Sequence, residues 1–349
     1  MARQFTRQAV TAMTGYAPGE QPQDRRYIKL NTNENPYPPS PAVIEAVRAA
    51  AGDELRLYPD PLANVLRDRA AAVYGLRREN IMVGNGSDEL LNLIVRACVG
   101  RGERVVYPHP TYTLYDTLVA LQEGEPVHVP YPADFGLPAG LVEARGRVTF
   151  ICHPNSPSGT AVPIEAIREL AERVAGLLVV DEAYVDFAEA NALALVHAYE
   201  NVVVLRTFSK SFSLAGMRIG LAFAAPGIID ELLKVKDSYN VTRLSIVAAT
   251  AALEDYHWME ANVARVRRTR ERLTEGLCAR RFAVLPSQSN FVLARRPGRC
   301  VADVYRGLKE RGVLVRYFAV PELQDALRIT VGTDAEVAVL LEALDDLGG

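Results

Sequence analysis

Three side chains suited to joint chemistry, Asn155, Asp181 and Lys210, each stand just after a short apolar run. Lys210 lies in Arg206-Thr-Phe-Ser-Lys-Ser-Phe-Ser-Leu-Ala-Gly-Met-Arg-Ile-Gly220, which follows Val202-Val-Val-Leu205. An amine among small and aromatic residues beside a strand end can lose enough basicity to form a Schiff base. A solvated surface lysine is the alternative. Asp181 opens Asp181-Glu-Ala-Tyr184 after Leu177-Leu-Val-Val180. A carboxylate at the end of a buried strand needs a strong partner, although a helix N-cap role would also satisfy it. Asn155 belongs to Cys152-His-Pro-Asn-Ser-Pro-Ser-Gly-Thr160, a loop too rich in turn residues to continue the run Val148-Thr-Phe-Ile151. A fourth segment, Gly84-Asn-Gly-Ser-Asp-Glu-Leu90, follows Ile81-Met-Val83 and opens an amphipathic stretch. Free N–H groups and the helix dipole suit a phosphate there, and a plain capped turn fits equally. Glu89 takes the place of the third glycine of a dinucleotide fingerprint, and no Gly-Lys-Ser/Thr P-loop occurs.

The elements that must position these groups are legible as a pattern. Six short apolar runs, at Ile81–Val83, Arg104–Val106, Val148–Ile151, Leu177–Val180, Val202–Leu205 and Ile219–Ala222, alternate with helical stretches. Continuous apolar runs of this length read as strands buried on both faces, in a mostly parallel sheet covered by helices. In such sheets ligands bind outside the carboxyl ends of the strands, where Asn155, Asp181 and Lys210 all fall. Ser40 and Pro41 open a helix as N-cap and first helical residue. After Pro226 helix dominates to roughly residue 280. A smaller α+β region follows, with an extended Asn290–Leu293, a helix near 301–311, strands at Val313–Val315 and Leu327–Thr330, and a closing helix with capping-box spacing at Thr333-Asp-Ala-Glu336.

Composition narrows the function classes. With 39 Lys+Arg against 42 Asp+Glu the formal net charge is −3, which argues against a general polyanion binder. Met259–Arg281 is dense in arginine, but Glu260, Glu271 and Glu275 and the apolar Val263, Val266 and Leu273 fit a long helix with a solvated face. No apolar run approaches the roughly 20 residues that span a bilayer. The start, Met-Ala-Arg-Gln-Phe-Thr-Arg, has no apolar signal region. Cys98, Cys152, Cys278 and Cys300 are scattered, with no CxxC pair, so neither a disulfide framework nor a zinc site is expected. The five histidines show no HExxH spacing. A cytoplasmic protein without a metal, a membrane or a nucleic-acid partner is expected.

An anion cradle, a buried carboxylate and a reactive lysine on one rim are the groups needed by pyridoxal 5'-phosphate: phosphate anchor, pyridinium partner and aldehyde partner. The chain resembles the fold-type I pyridoxal-phosphate-dependent aminotransferases, in the histidinol-phosphate branch. The likeness runs from Tyr16 and Asn33-Glu-Asn-Pro36 to Leu327-Arg-Ile-Thr330, and is most specific at Arg206–Gly220 and Asp181–Tyr184. It implies a large α/β domain over residues 37–256 with a mostly parallel, seven-stranded sheet. Residues 1–36 would form an N-terminal arm and residues 257–349 a small α+β domain.

By matching motif, Lys210 is the Schiff-base lysine, Asp181 the partner of the pyridinium nitrogen, and Asn155 and Tyr184 the donors to the ring oxygen. Gly86, Ser87, Asp88, Ser209 and Arg218 would surround the phosphate, with Tyr112 stacked on the ring. Tyr58 would reach the phosphate from the neighbouring subunit of a homodimer. Arg328 would bind the acidic end of the substrate, helped by Tyr16 and Arg316. The implied reaction is transamination of L-histidinol phosphate with 2-oxoglutarate or glutamate. The loop His153–Gly159 and Ser211-Phe-Ser213 depart from the commoner Asn-Pro-Asn-Asn-Pro-Thr-Gly and Ala-Phe-Gly, yet keep Asn155, Lys210 and Arg218 in place. An aromatic aminotransferase, or a decarboxylase of similar fold acting on threonine phosphate, remains an alternative. A non-catalytic regulator is not expected, because enzyme-like motifs begin by residue 16.

Overall fold

The computed structural model describes residues 5–348; the first four residues of the expected arm and Gly349 lie outside them. Thirteen strands are found among these residues: β1 (Ile28–Lys29), β2 (Ile81–Gly84), β3 (Arg104–His109), β4 (Glu125–Pro130), β5 (Val148–Cys152), β6 (Leu177–Asp181), β7 (Val202–Thr207), β8 (Gly220–Ala224), β9 (Ala283–Val284), β10 (Phe291–Arg295), β11 (Val313–Leu314), β12 (Arg316–Tyr317) and β13 (Ala326–Thr330). Seven of them form one sheet in the order β2-β8-β7-β6-β5-β3-β4. Each central strand is buried on both faces because alternate residues feed different cores. Ile81, Val180, Val204 and Phe223 pack on one side with the helices Pro41–Ala50, Asn64–Tyr74, Ile164–Arg173 and Arg243–Glu254. Met82, Val179, Val203 and Ala222 pack on the other with Ser87–Cys98, Leu114–Leu121 and Pro226–Val235. This is the α/β architecture expected from uninterrupted apolar runs.

Two features of the sheet were not read from the sequence. β8 runs antiparallel to both β2 and β7. The chain between Thr207 and Gly220 holds only the 3₁₀ turn Ala215–Met217, too short for the covered crossover a parallel strand needs. β4 pairs parallel with β3 at the sheet edge, and its half-exposed, alternating residues with Pro126 and Pro130 hide it from a search for continuous apolar runs.

The remaining strands form a four-stranded antiparallel sheet, β12-β13-β10-β9, and a short parallel pair, β1 with β11. Val313–Leu314 therefore joins the N-terminal segment, while Arg316–Tyr317 joins β13. The helices Tyr256–Ala279, Ala302–Glu310 and Asp334–Asp345 complete this part, the last closed by the Thr333–Glu336 capping box. Ser40 caps its helix through the Ala42 amide with Pro41 following it.

One buried ion pair pins β6 to β7. Arg206 Nε donates to Glu182 Oε2 at 3.0 Å, the Glu182 side chain is wholly buried, and the guanidinium lies 4.9 Å from the Tyr74 ring centre. Removing one partner of such a pair strands a charge. Arg206→Met should cost roughly 3–5 kcal/mol of apoprotein stability in denaturant unfolding. Adding Glu182→Leu should recover most of it; a loss under about 1 kcal/mol in the single variant would contradict this role.

Candidate active site

The strand register gathers the chemistry on one rim. β3, β5, β6 and β7 are parallel and end there, at His109, Cys152, Asp181 and Thr207, and β2 ends beside them because β8 lies antiparallel between β2 and β7. Gly220 faces both Gly84 and Thr207. A Cβ on Gly220 would stand 2.5 Å from the Ser87 amide nitrogen, so glycine lets the turn opening the helix Ser87–Cys98 close onto β8. At Gly86, with φ of +82°, a Cβ would meet Arg218 Nη2 at 2.7 Å. These two glycines bring the Arg218 guanidinium against a helix start whose cap residue makes no side-chain hydrogen bond. Arg218 also reaches Ser209 Oγ at 3.3 Å and Asp88 Oδ2 at 3.2 Å. A guanidinium, a hydroxyl and open helix N–H groups are donors that could hold a phosphate there.

A cleft of about 240 Å³ opens from this rim. It is lined by Tyr16, Ser87, Asp88, Tyr112, Asp181 and Tyr184, and further by Ser209, Lys210, Arg218, Arg316 and Arg328. Lys210 Nζ donates to the Thr32 carbonyl at 3.3 Å and lies 5.7 Å from the Tyr184 ring centre. Burial, reinforced by the Arg328 charge, pulls its amine down to about 8. At the other pole, burial pushes the Asp181 carboxyl up to about 6, opposed by the hydrogen bond from Tyr115. Tyr184 receives Asn33 Nδ2 at 3.0 Å, and burial raises its phenol, so it stays a donor.

Arg328 sits on the face of β13 opposite the core-directed Leu327 and Ile329. Its guanidinium donates to Ser156 Oγ at 3.2 Å and the Asn31 carbonyl at 3.1 Å, and rests near the rings of Phe291 and Phe318. Its buried Nε has no acceptor. Among the described residues no carboxylate lies within ion-pair distance of Arg328 or Lys210. Arg328 and Lys210 are thus free to meet an anion, whereas Arg218 already holds Asp88.

Three expected site residues lie elsewhere. Asn155 does not line the cleft: its Nδ2 donates to Ser158 Oγ at 2.9 Å and the Pro110 carbonyl at 3.3 Å, while its Oδ1 accepts from Thr111 at 2.8 Å. Gly86 stands behind the Arg218 guanidinium and shapes the cradle without facing the cleft. Tyr58 is 77% exposed outside the cleft of its own chain, stacked on Tyr239 at 4.4 Å. Arg316 faces the cleft, but its donors hold the Pro18 and Ala17 carbonyls at 3.3 and 3.2 Å. Tyr16 packs edge-on to Tyr112 at 5.8 Å.

Sequence reasoning gave no role to Asn33, Asn35, Tyr115 or Phe318. Asn33, at φ +57°, ties Tyr184 to Thr330 and to Asn290, and Asn35 donates to the Lys210 and Ser211 carbonyls. The clustered amides of Asn31-Thr-Asn-Glu-Asn-Pro36 were the available signal, since asparagine tolerates a left-handed backbone and bonds locally.

Residues 25–344 match the family model described as aminotransferase class I and II, and the chain belongs to that family. It is 48% identical over 345 residues to histidinol-phosphate aminotransferase 1 of Trichormus variabilis, covering 98% of this chain and 99% of that one. It is 47% identical to the histidinol-phosphate aminotransferase of Citrifermentans bemidjiense, with 98% of each chain covered. The crystal structure of the Sinorhizobium meliloti histidinol-phosphate aminotransferase in complex with pyridoxal-5'-phosphate matches with a TM-score of 0.90 at 29% identity, covering 98% of both chains. Within the family these likenesses place the chain in the histidinol-phosphate branch.

The lowered Lys210 basicity has a direct readout. Reductive methylation of the apoprotein, followed at Lys210 by peptide mass spectrometry, should rise with a midpoint near pH 8. Free lysine side chains in peptides titrate at roughly 10.4. A Lys210 midpoint coincident with theirs would contradict a desolvated amine.

Proposed function

We propose that this chain binds pyridoxal 5'-phosphate in the cleft and transaminates L-histidinol phosphate with 2-oxoglutarate or glutamate as the partner couple. The observation that carries the cofactor reading is the pairing of Lys210 with Arg328 in one cleft without acidic partners, opposite a buried Asp181 and beside the Arg218 cradle. The orphaned Arg328 Nε, and the close approach of Arg218 to the helix start that Gly86 and Gly220 allow, fit a ligand bearing separate anionic groups. The histidinol-phosphate substrate rests on the named relatives that share nearly half of the sequence.

When bound, the cofactor supplies an electron sink for negative charge developing at the substrate Cα. Asp181 holds a proton on the ring nitrogen and so favours that charge electrostatically. Tyr112 covers the ring face, and Ser87, Ser209 and Arg218 hold the phosphate, with Asp88 oriented by its bonds to Tyr112 and Arg218. Tyr184 would donate toward the ring oxygen, the role proposed also for Asn155, whose amide holds Ser158 and the Pro110 carbonyl in this structure. Lys210 Nζ, neutral in a substantial fraction near pH 8, would take the proton from the substrate Cα as general base and deliver it as general acid to the carbon of the cofactor's aldehyde group.

Arg328 binds an anionic group of either substrate, since its fork fits carboxylate and phosphate alike. Arg316, by releasing the Ala17 and Pro18 carbonyls, adds a second fork for the phosphate, with Tyr16 beside it. Residues 37–256 are read as the large domain, with residues 1–36 as an arm and 257–349 as the small domain. No helix among the described residues is long and apolar enough to cross a membrane, and a cytoplasmic location is part of the proposal. So is a homodimer: Leu55, Leu57, Tyr58, Leu62 and Val65 are exposed together, and an apolar groove lined by Pro59, Ala63, Val65, Ile246 and Val247 adjoins them. A second copy covering this face would carry Tyr58 toward the neighbouring phosphate cradle.

Borohydride treatment of the cofactor-loaded protein should fix the label on Lys210, and Lys210→Ala should retain cofactor while losing transamination by orders of magnitude. Label on another lysine would refute the assignment. Arg328→Lys keeps the charge and loses the fork, so kcat/KM should fall about tenfold or more in both half-reactions. Unchanged values would remove Arg328 from the site. Arg316→Ala should affect histidinol phosphate more than glutamate; equal losses with phenylalanine and histidinol phosphate would favour an aromatic aminotransferase.

A further inference from the structure

Tyr115 is fully buried, does not line the cleft, and directs its hydroxyl at Asp181 Oδ2 from 2.9 Å. Its ring is fixed by its neighbours: Phe150 stacks on it at 4.7 Å and 15°, and Tyr107 and Tyr112 meet it edge-on, both at 5.6 Å. Among the described residues the other Asp181 oxygen accepts only the Ala183 amide, at 3.2 Å. The carboxylate is therefore clamped between one backbone donor and one phenol, and the phenol sets which way it faces. Thr111, four residues earlier, fixes the Asn155 amide by donating to its Oδ1 at 2.8 Å. Thus Thr111 and Tyr115, on the segment that also carries Tyr112, each hold a side chain that the proposed function assigns to the cofactor.

We propose that Tyr115 is a positioning residue for the reaction, holding Asp181 oriented and ionised for the ring nitrogen without touching substrate itself. The proposal rests on the reading that pyridoxal 5'-phosphate occupies the cleft. A donor to a carboxylate favours its ionised form, and the neighbourhood otherwise opposes ionisation. Asp88 from the helix Ser87–Cys98 and the adjoining Glu182 face Asp181 as like charges. Cys152 at the end of β5, Tyr112 and Tyr184 add neutral groups whose protons burial retains. No lysine or arginine offsets them in direct contact with Asp181 among the described residues, which leaves Tyr115 as the side chain that does.

The test uses Tyr115→Phe, which keeps the ring stack and removes only the hydroxyl. Pyridoxal 5'-phosphate is titrated into apoprotein across a range of pH and followed by visible absorbance. Inorganic phosphate is titrated separately as a probe of the cradle alone. The cofactor Kd should rise about tenfold, with the acid limb of binding displaced upward by about one pH unit, while phosphate affinity stays within about twofold. In the glutamate half-reaction kcat should fall about tenfold with KM unchanged. In an Asp181→Asn background the same substitution should add less than about twofold, because its acceptor charge is gone.

An unchanged cofactor Kd and acid limb would overturn the proposal. So would a phosphate affinity that falls in step with the cofactor's, full additivity with Asp181→Asn, or loss of the folded apoprotein, each of which makes Tyr115 a core residue. Failure of the wild-type protein to develop visible absorbance with the cofactor would instead overturn the functional reading beneath it.

Discussion

Of the four cations that line the cleft, Lys210 and Arg328 are half-buried, and among the described residues neither has a carboxylate within ion-pair distance. Lys210 answers by losing basicity, down to about 8. Arg328 cannot deprotonate, and is instead held by Ser156 Oγ and the Asn31 carbonyl over two aromatic rings. A buried charge left this way is costly unless a ligand completes it. The cleft is thus built for an anionic substrate approached by a neutral amine, and the surrounding structure keeps those two states apart.

The fold achieves this by taking the two cations from different sheets. Lys210 follows β7 of the seven-stranded sheet, whereas Arg328 lies on β13 of the four-stranded one. The link between them is polar and buried. Asn33 accepts Thr330 on β13 through its Oδ1, donates to Tyr184 beyond β6, and receives Asn290 before β10 on its carbonyl. Because every member is hydrogen-bonded across sheets, the spacing of Lys210 and Arg328 is set by a network rather than by one strand. On the phosphate side the constraint is steric: glycine at 86 and 220 lets Arg218, a helix start and β8 occupy space that one methyl group would deny them.

Much of this was legible in the sequence for identifiable reasons. Short apolar runs marked β2, β5, β6, β7 and β8 because strands buried on both faces must be apolar throughout, and reading the residue after each run found Asp181 and Lys210. β4 escaped because an exposed edge strand need not be apolar. The direction of β8 escaped because it depends on the length of a turn and not on side chains. Tyr115 drew no reading from the sequence, since a tyrosine in a core and a tyrosine donating to a carboxylate have the same local pattern. Asn155 shows the reverse: its loop was legible as a turn, while the hydrogen bonds that tie its amide to Ser158, Pro110 and Thr111 were not. Tyr58 points away from the cleft of its own chain, and the role proposed for it needs a second copy, which no single sequence displays.

The central claim is that one cleft accepts a phosphate-bearing amine and a dicarboxylate by turns, with Lys210 carrying the proton each time. Its most direct test is a single sample of cofactor-loaded protein followed by absorbance through both halves of the exchange. Addition of histidinol phosphate should abolish the visible band, and subsequent 2-oxoglutarate should restore it with one equivalent of glutamate formed. A band that is lost without recovery, or is lost with release of carbon dioxide on an amino-acid substrate, would contradict the account.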